Sequence, residues 1–284
     1  MRSTSRLRSS HVHPDFFTGI ARGLAGALLF ALPMLMTMEM WELGLYANPM
    51  RLLLLCLLNI PLLIGLAYRI GFERMTTWTQ TLRDAAIAFA LGIVLSALIL
   101  WLFGLLSADL PLNHGIAMIA LQAVPASIGA LLGRSQLGMR SEQDDEDDGD
   151  YQGEAGYFNE LFMMVLGALF LGLNVAPTEE MILIAYKIMP VQTMLILLLS
   201  IAIMHGFVYS IHFKGGHRVE EATPWWSSLI RFTLPGYVLA FATSAYTLWT
   251  FERLDDASFA QMLTTIVVLS FPAAIGAASA RLVL

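Results

Sequence analysis

Apolar residues in this chain do not alternate, nor do they keep to one stripe of a helix. They run almost unbroken for about twenty residues, stop at a short polar cluster, and begin again. A segment in lipid must satisfy its own backbone hydrogen bonds, which an apolar helix of about 20 residues achieves while spanning the bilayer. Eight stretches meet that description: 19–43, 50–70, 84–105, 115–133, 158–184, 190–212, 228–250 and 259–281. The pattern predicts an all-α, polytopic membrane protein with eight transmembrane helices.

The same pattern occurs twice. Sliding the chain by 141 places Gly26–Phe72 over Gly167–Phe213 without a gap, with 16 of 47 positions identical. Leucine matches are cheap in apolar helices, so the informative pairs are Thr37 with Thr178, Glu39 with Glu180, Pro49 with Pro190, Gly65 with Gly206 and Tyr68 with Tyr209. At an offset of 148 the match resumes with Trp78 over Trp226, Arg83 over Arg231, Ser96 over Ser244 and Trp101 over Trp249. "PASIGALLGR" and "PAAIGAASAR" then pair Pro125 with Pro272 and Gly129 with Gly276. The expected organisation is an N-terminal segment (1–18), a first four-helix repeat (19–134), an acidic linker (135–157) and a second four-helix repeat (158–284). Four crossings per unit bring both units into the membrane from the same side, as parallel repeats.

Charge sets the expected orientation. With the N-terminus inside, 13 of the 16 Lys and Arg residues fall in cytoplasmic segments and only Arg51, Lys187 and Arg253 lie outside. Both termini are therefore expected to be cytoplasmic. The basic N-terminus "MRSTSRLRSSHVHPDF" lacks the apolar core and cleavage site of a signal peptide, so the first helix is expected to stay. The net charge of −6 comes from "SEQDDEDDGDYQGEAG", with eight acidic residues, which reads as a solvated linker. A calcium loop there fails, since its twelfth position is Ala155 rather than Glu.

Candidate chemistry centres on carboxylates inside apolar helices. A charge at mid-bilayer costs at least about 2.5–3.5 kcal/mol, so such groups normally face protein or water. Glu39 and Glu180 are equivalent positions in the first and fifth helices, and Pro33 and Pro177 are expected to bend those helices and free carbonyls beside them. Thr37, Thr178 and Asn174 add oxygen atoms, and an oxygen-rich acidic site suits a hard cation or a proton. Glu42 and Glu179 break the symmetry and are secondary. The alternative reading is a pair of glutamates reaching the membrane interface.

Other readings are weaker. Met34 with Met38 and Met36 with Met40 have the i, i+4 spacing of soft Cu(I) ligands, but the second half does not keep them, which favours ordinary packing. His205 and His212 share a helix face with no counterpart in the first half. The single cysteine, Cys56, has no partner for an intramolecular disulfide. No nucleotide loop, catalytic triad or nucleic-acid patch is present, so no enzyme, cofactor or metal centre is expected. The pairs Gly19/Gly23, Gly129/Gly133 and Gly276/Ala280 read as close helix packing.

The "PMLMTMEMW" helix, the "NVAPTEEM" helix and the acidic mid-chain linker together resemble a bacterial family of integral membrane proteins of unknown function. The resemblance implies an inner-membrane location and no particular activity or site residues. From the residues themselves the leading expectation is a channel-like cation pathway with Glu39 and Glu180 at its constriction. A homodimer around a shared pore would make a ring of four carboxylates. The alternatives are a proton- or cation-coupled carrier, and a membrane sensor or lipid-acting protein. Expected partners are membrane lipids and inorganic cations, and not nucleic acid.

Overall fold

The computed structural model describes residues 14–70, 77–137, 154–210 and 225–283. Most of the N-terminal segment, most of the calcium-loop motif and of the acidic linker, and His212 lie outside the described residues. Helices account for nearly all the rest: α1 (Pro14–Leu35), α2 (Met38–Tyr46), α3 (Pro49–Ile70), α4 (Trp78–Leu102) and α5 (Leu112–Leu137) come first. After the linker follow α6 (Glu154–Val175), α7 (Glu179–Lys187), α8 (Pro190–Ser210), the short α9 (Trp225–Ser228), a π-helical turn (Leu229–Thr233), α10 (Leu234–Thr250) and α11 (Phe259–Val283).

Two expected spans are not continuous. The stretch 19–43 breaks at Met36–Thr37, where α1 and α2 meet at a bend of 79°. The stretch 158–184 breaks at Ala176–Thr178. The expected span 228–250 starts at the end of α9 and runs through the π-helical turn, which leaves α10 only 17 residues. Six of the described helices are long and apolar enough to cross a membrane, and α1 with α2 makes a seventh as a bent pair.

Close crossings set the packing. α1 lies on α5 and α6 on α11, the most extensive helix pairs among the described residues. A Cβ built on Gly26 would come within 3.0 Å of Gly129 O and of backbone atoms of Gly133. One built on Gly167 would come equally close to Gly276 O and to Ala280. Only backbones without side chains approach this tightly, so these glycines determine where the helices cross. The small-residue reading holds at 129/133 and 276/280, and the partners on the facing helices are Gly26 and Gly167.

The seam between the two halves is uneven. On α3, a Cβ at Gly65 would stand 2.7 Å from the Phe162 ring of α6, whereas one at Gly206 of α8 would meet nothing within 4 Å. The Phe30 and Phe170 rings touch edge to face at 4.6 Å. At the far end of α3 a polar clamp closes the seam. Arg51 donates to the Trp249 carbonyl at 2.7 Å, pairs with Asp255 at 3.0 Å and lies 4.8 Å over the Trp249 ring. The Asn48 N–H donates to Glu252 Oε1 at 2.7 Å.

Candidate functional site

Thr37 and Thr178 sit in two matching local structures. Each is extended, with φ −94° and ψ 129° at Thr37 and φ −69° and ψ 140° at Thr178. Each donates both its N–H and its hydroxyl to the carbonyl three residues back: Met34 at 3.1 and 2.8 Å, Val175 at 3.1 and 2.8 Å. Neither hydroxyl caps the helix that follows. The threonines therefore close the preceding helix by satisfying a terminal carbonyl. As cation ligands they would have only remaining lone pairs to offer.

The break changes the cost of the glutamates. Glu39, half-buried, is in the first turn of α2; Glu180, exposed, shares the first turn of α7 with exposed Glu179. First-turn N–H groups have no partner within their helix, so a carboxylate there gains roughly 0.3–1 kcal/mol from the helix dipole. The sequence reading put the two carboxylates inside the bent first and fifth membrane helices; each stands instead at the head of a separate nine-residue helix.

The proline expectation is corrected in part. Pro33 lies within α1 with its ring exposed, and the helix continues to Leu35; only Pro177 is in a break. The Pro177 carbonyl accepts the Arg253 guanidinium. Asn174 donates to the Phe170 carbonyl at 2.8 Å inside α6.

Charges converge around the two secondary glutamates, together with Glu252 and Arg253, which the sequence reading did not single out. The charges of Arg253, Glu42, Glu252 and Glu179 all bear on the Tyr46 hydroxyl, which gathers α2, the head of α7 and the α10–α11 loop at one end of the molecule. Among the described residues no hydrogen bond or ion pair joins Glu39 to Glu180, and no cluster of three or more His, Cys, Asp or Glu could hold a metal ion.

The methionine spacing does not survive the fold. Met34 and Met38 fall on opposite sides of the break, as do Met36 and Met40, so the helical register that would align them is absent; Met34 and Met40 are buried, Met36 and Met38 exposed. His205 hydrogen-bonds through Nδ1 to the Thr233 hydroxyl at 3.0 Å.

Three buried polar residues escaped the sequence reading. Asp84 on α4 is fully buried and pairs with Arg83 at 3.3 Å. The expected span began at Asp84, which disguised it as a boundary residue. Gln122 on α5 is fully buried with neither amide atom partnered. Asn59, halfway along α3, is 1% exposed; its Nδ2 donates to the Ser127 hydroxyl at 2.9 Å, and Ser127 donates to the Val124 carbonyl at 2.8 Å. A single amide within an apolar run, as in "LLNIPLL", is the signal that could have found Asn59 and Gln122.

Asn59 also borders a cavity of about 440 Å³ at the seam between α3, α5, α6 and α10. Its walls are mostly apolar and include Leu58, Phe162, Val165 and Ala242, with Thr243 and Tyr246 as the other polar residues.

A family model described as "Putative integral membrane protein (DUF2391)" matches residues 19–284. No curated protein matches the chain, and no solved structure does.

Proposed function

The chain belongs to this family of integral membrane proteins, and on that premise we propose that it conducts cations in a channel-like manner, through an acidic constriction at Glu39 and Glu180. The supporting observation is that both halves break at the same place and each opens the following short helix with a carboxylate. Glu42, Glu179 and Glu252, whose charges bear together on Tyr46, would add an acidic mouth. Such a surface raises the local cation concentration. Thr37, Thr178 and Asn174 would contribute oxygen atoms near the path. In this reading two parallel four-helix repeats cross a bacterial inner membrane with both termini cytoplasmic. The acidic linker hangs inside, and a homo-oligomer is compatible with the arrangement.

Flux of potassium, sodium, calcium and protons into liposomes holding the purified protein tests the reading against a Glu39→Gln/Glu180→Gln double variant. Flux lost in the folded double variant supports it, and its rate and saturation separate a channel from a coupled carrier. Flux equal in both proteins overturns the role of the glutamates. The seam cavity favours a second reading, a membrane sensor or lipid-acting protein, in which deleting 141–155 alters regulation while ion flux stays silent.

A further inference from the structure

The seam inside the chain joins unlike faces. From the first half it takes α3, with Arg51 and Gly65; from the second it takes α6 and α10, with Phe162 and Trp249. A two-fold seam would repeat the contact in reverse, with α8 on α1 and α4. The matching positions show no such reverse contact. A Cβ on Gly206, the counterpart of Gly65, would meet nothing within 4 Å. Ala21, the counterpart of Phe162, is exposed, and so is Leu29, the counterpart of the Phe170 whose ring touches Phe30. At the end of α4, Leu102 and Phe103 are 66% and 47% exposed, whereas their counterparts at the end of α10, Thr250 and Phe251, are 0% and 1%.

A contact between unlike faces cannot satisfy both halves of one chain. Each half carries one face of each kind, so the internal seam leaves α8 open on one side and α1 with α4 on the other. Such head-to-tail contacts either run on as filaments or close into rings. Exposed apolar helix surface in a bilayer is no argument by itself, since lipid covers it. What points to protein is that the chain displays the mate of each open surface. The polar groups agree with this. Gln192, exposed on α8, stands where α3 has Arg51. Its Oε1 is taken by the Met189 N–H at 2.8 Å, which leaves the amide protons on Nε2 to donate outward, as Arg51 donates to the Trp249 carbonyl. The counterpart of that carbonyl belongs to Trp101, whose side chain is exposed.

We propose that a second copy of this chain covers these surfaces. In it α8 of each copy lies on α1 and α4 of the other, repeating the internal seam, and two chains close a ring of four halves. The proposal rests on the parallel repeats of the cation reading and gives its homo-oligomer a defined interface. It uses none of the glutamates, so a failed dimer and a failed ion path are told apart by separate assays.

Counting copies of the fluorescently tagged full chain in phosphatidylcholine liposomes, by single-molecule photobleaching at high lipid excess, tests the stoichiometry without any substitution. Two bleaching steps are expected; single steps throughout, or more than two, overturn the proposal. Crosslinking with a lipid-soluble bis-methanethiosulfonate, in a Cys56→Ala background, tests the faces. Ala21→Cys chains alone and Gly206→Cys chains alone should run as monomers on a denaturing gel, and the two reconstituted together should give a crosslinked dimer. Both substitutions fall at positions with room for the new side chain. Equal dimer from either variant alone overturns the contact between unlike faces, and so does a mixture that yields no dimer.

Discussion

Alanine at Gly26 sets two helix effects against each other. In a helix interior alanine is favoured over glycine by about 1 kcal/mol, and that gain applies wherever the new methyl has room. At Gly26 it has none: the Cβ would come under 3.0 Å from Gly129 O and from Cα and N of Gly133. These are backbone atoms, which cannot rotate aside, so α1 and α5 must separate along their whole crossing. Overpacking of this kind costs about 1–3 kcal/mol or more, and a backbone neighbour puts Gly26 at the top of that range. The net expectation for Gly26→Ala is a loss of about 2 kcal/mol. Gly206→Ala meets nothing within 4 Å and keeps the gain of about 1 kcal/mol. The two variants should differ by about 3 kcal/mol, more than a hundredfold in the folding equilibrium. Reversible unfolding in mixed micelles, followed by tryptophan fluorescence, measures the difference. Gly26→Ala unfolding at or beyond the midpoint of Gly206→Ala would refute the close-crossing account.

Other outcomes follow from the same geometry. Ser127→Ala should cost about 1–2 kcal/mol by stripping the partner from the buried Asn59 amide, whereas Asn59→Leu should be near neutral because it removes an unpaired oxygen; the same unfolding assay compares them. Gly104→Ala should lose about 1 kcal/mol although its Cβ meets nothing within 4 Å, because φ of 75° is left-handed backbone, and unchanged stability would exclude that cause. Arg51→Ala should cost only about 1 kcal/mol, its ion pair with Asp255 being part-exposed, and should speed proteolysis of the 251–258 loop if the clamp holds it.

The spans were legible because lipid imposes a long apolar run: 50–70 and 190–212 come within two residues of α3 and α8 at each end. The glycine crossings were legible in part, since small residues four apart on α5 and α11 already form a groove. The break at Pro177 was signalled, but the one after α1 was not. Proline draws the eye to a bend, yet Pro33 rests in an intact helix, and the chain turns where Thr37 folds its hydroxyl back on Met34. A helix-period reading carries no sign of such a bond. For the site, residue identity was informative and assembly was not. Glu39 and Glu180 match in sequence, while the charges that gather are Glu42, Glu179, Glu252 and Arg253, three of them in loops or helix ends with no repeated partner. Asn59 was missed because one polar residue hardly dents a run of leucines, and Asp84 because it stood at the expected edge of a span.

At the end of α4, Gly104 takes the left-handed turn, and its N–H bonds to Trp101; at the end of α10, Glu252 makes the same turn and the same bond to Trp249. The next residue is Leu105 in one place and Arg253 in the other, each bonding through its N–H to the leucine carbonyl five back, Leu100 and Leu248. The backbone of the two loop starts matches while their side chains have parted company. In a dimer of identical single-unit chains every mutation strikes both copies, so an arginine gained at one loop would be gained at its mate. Two loop starts within one chain are free of that rule. Glu252 could reach for Asn48, and Arg253 for Pro177, while Gly104 and Leu105 kept an uncharged version of the same turn.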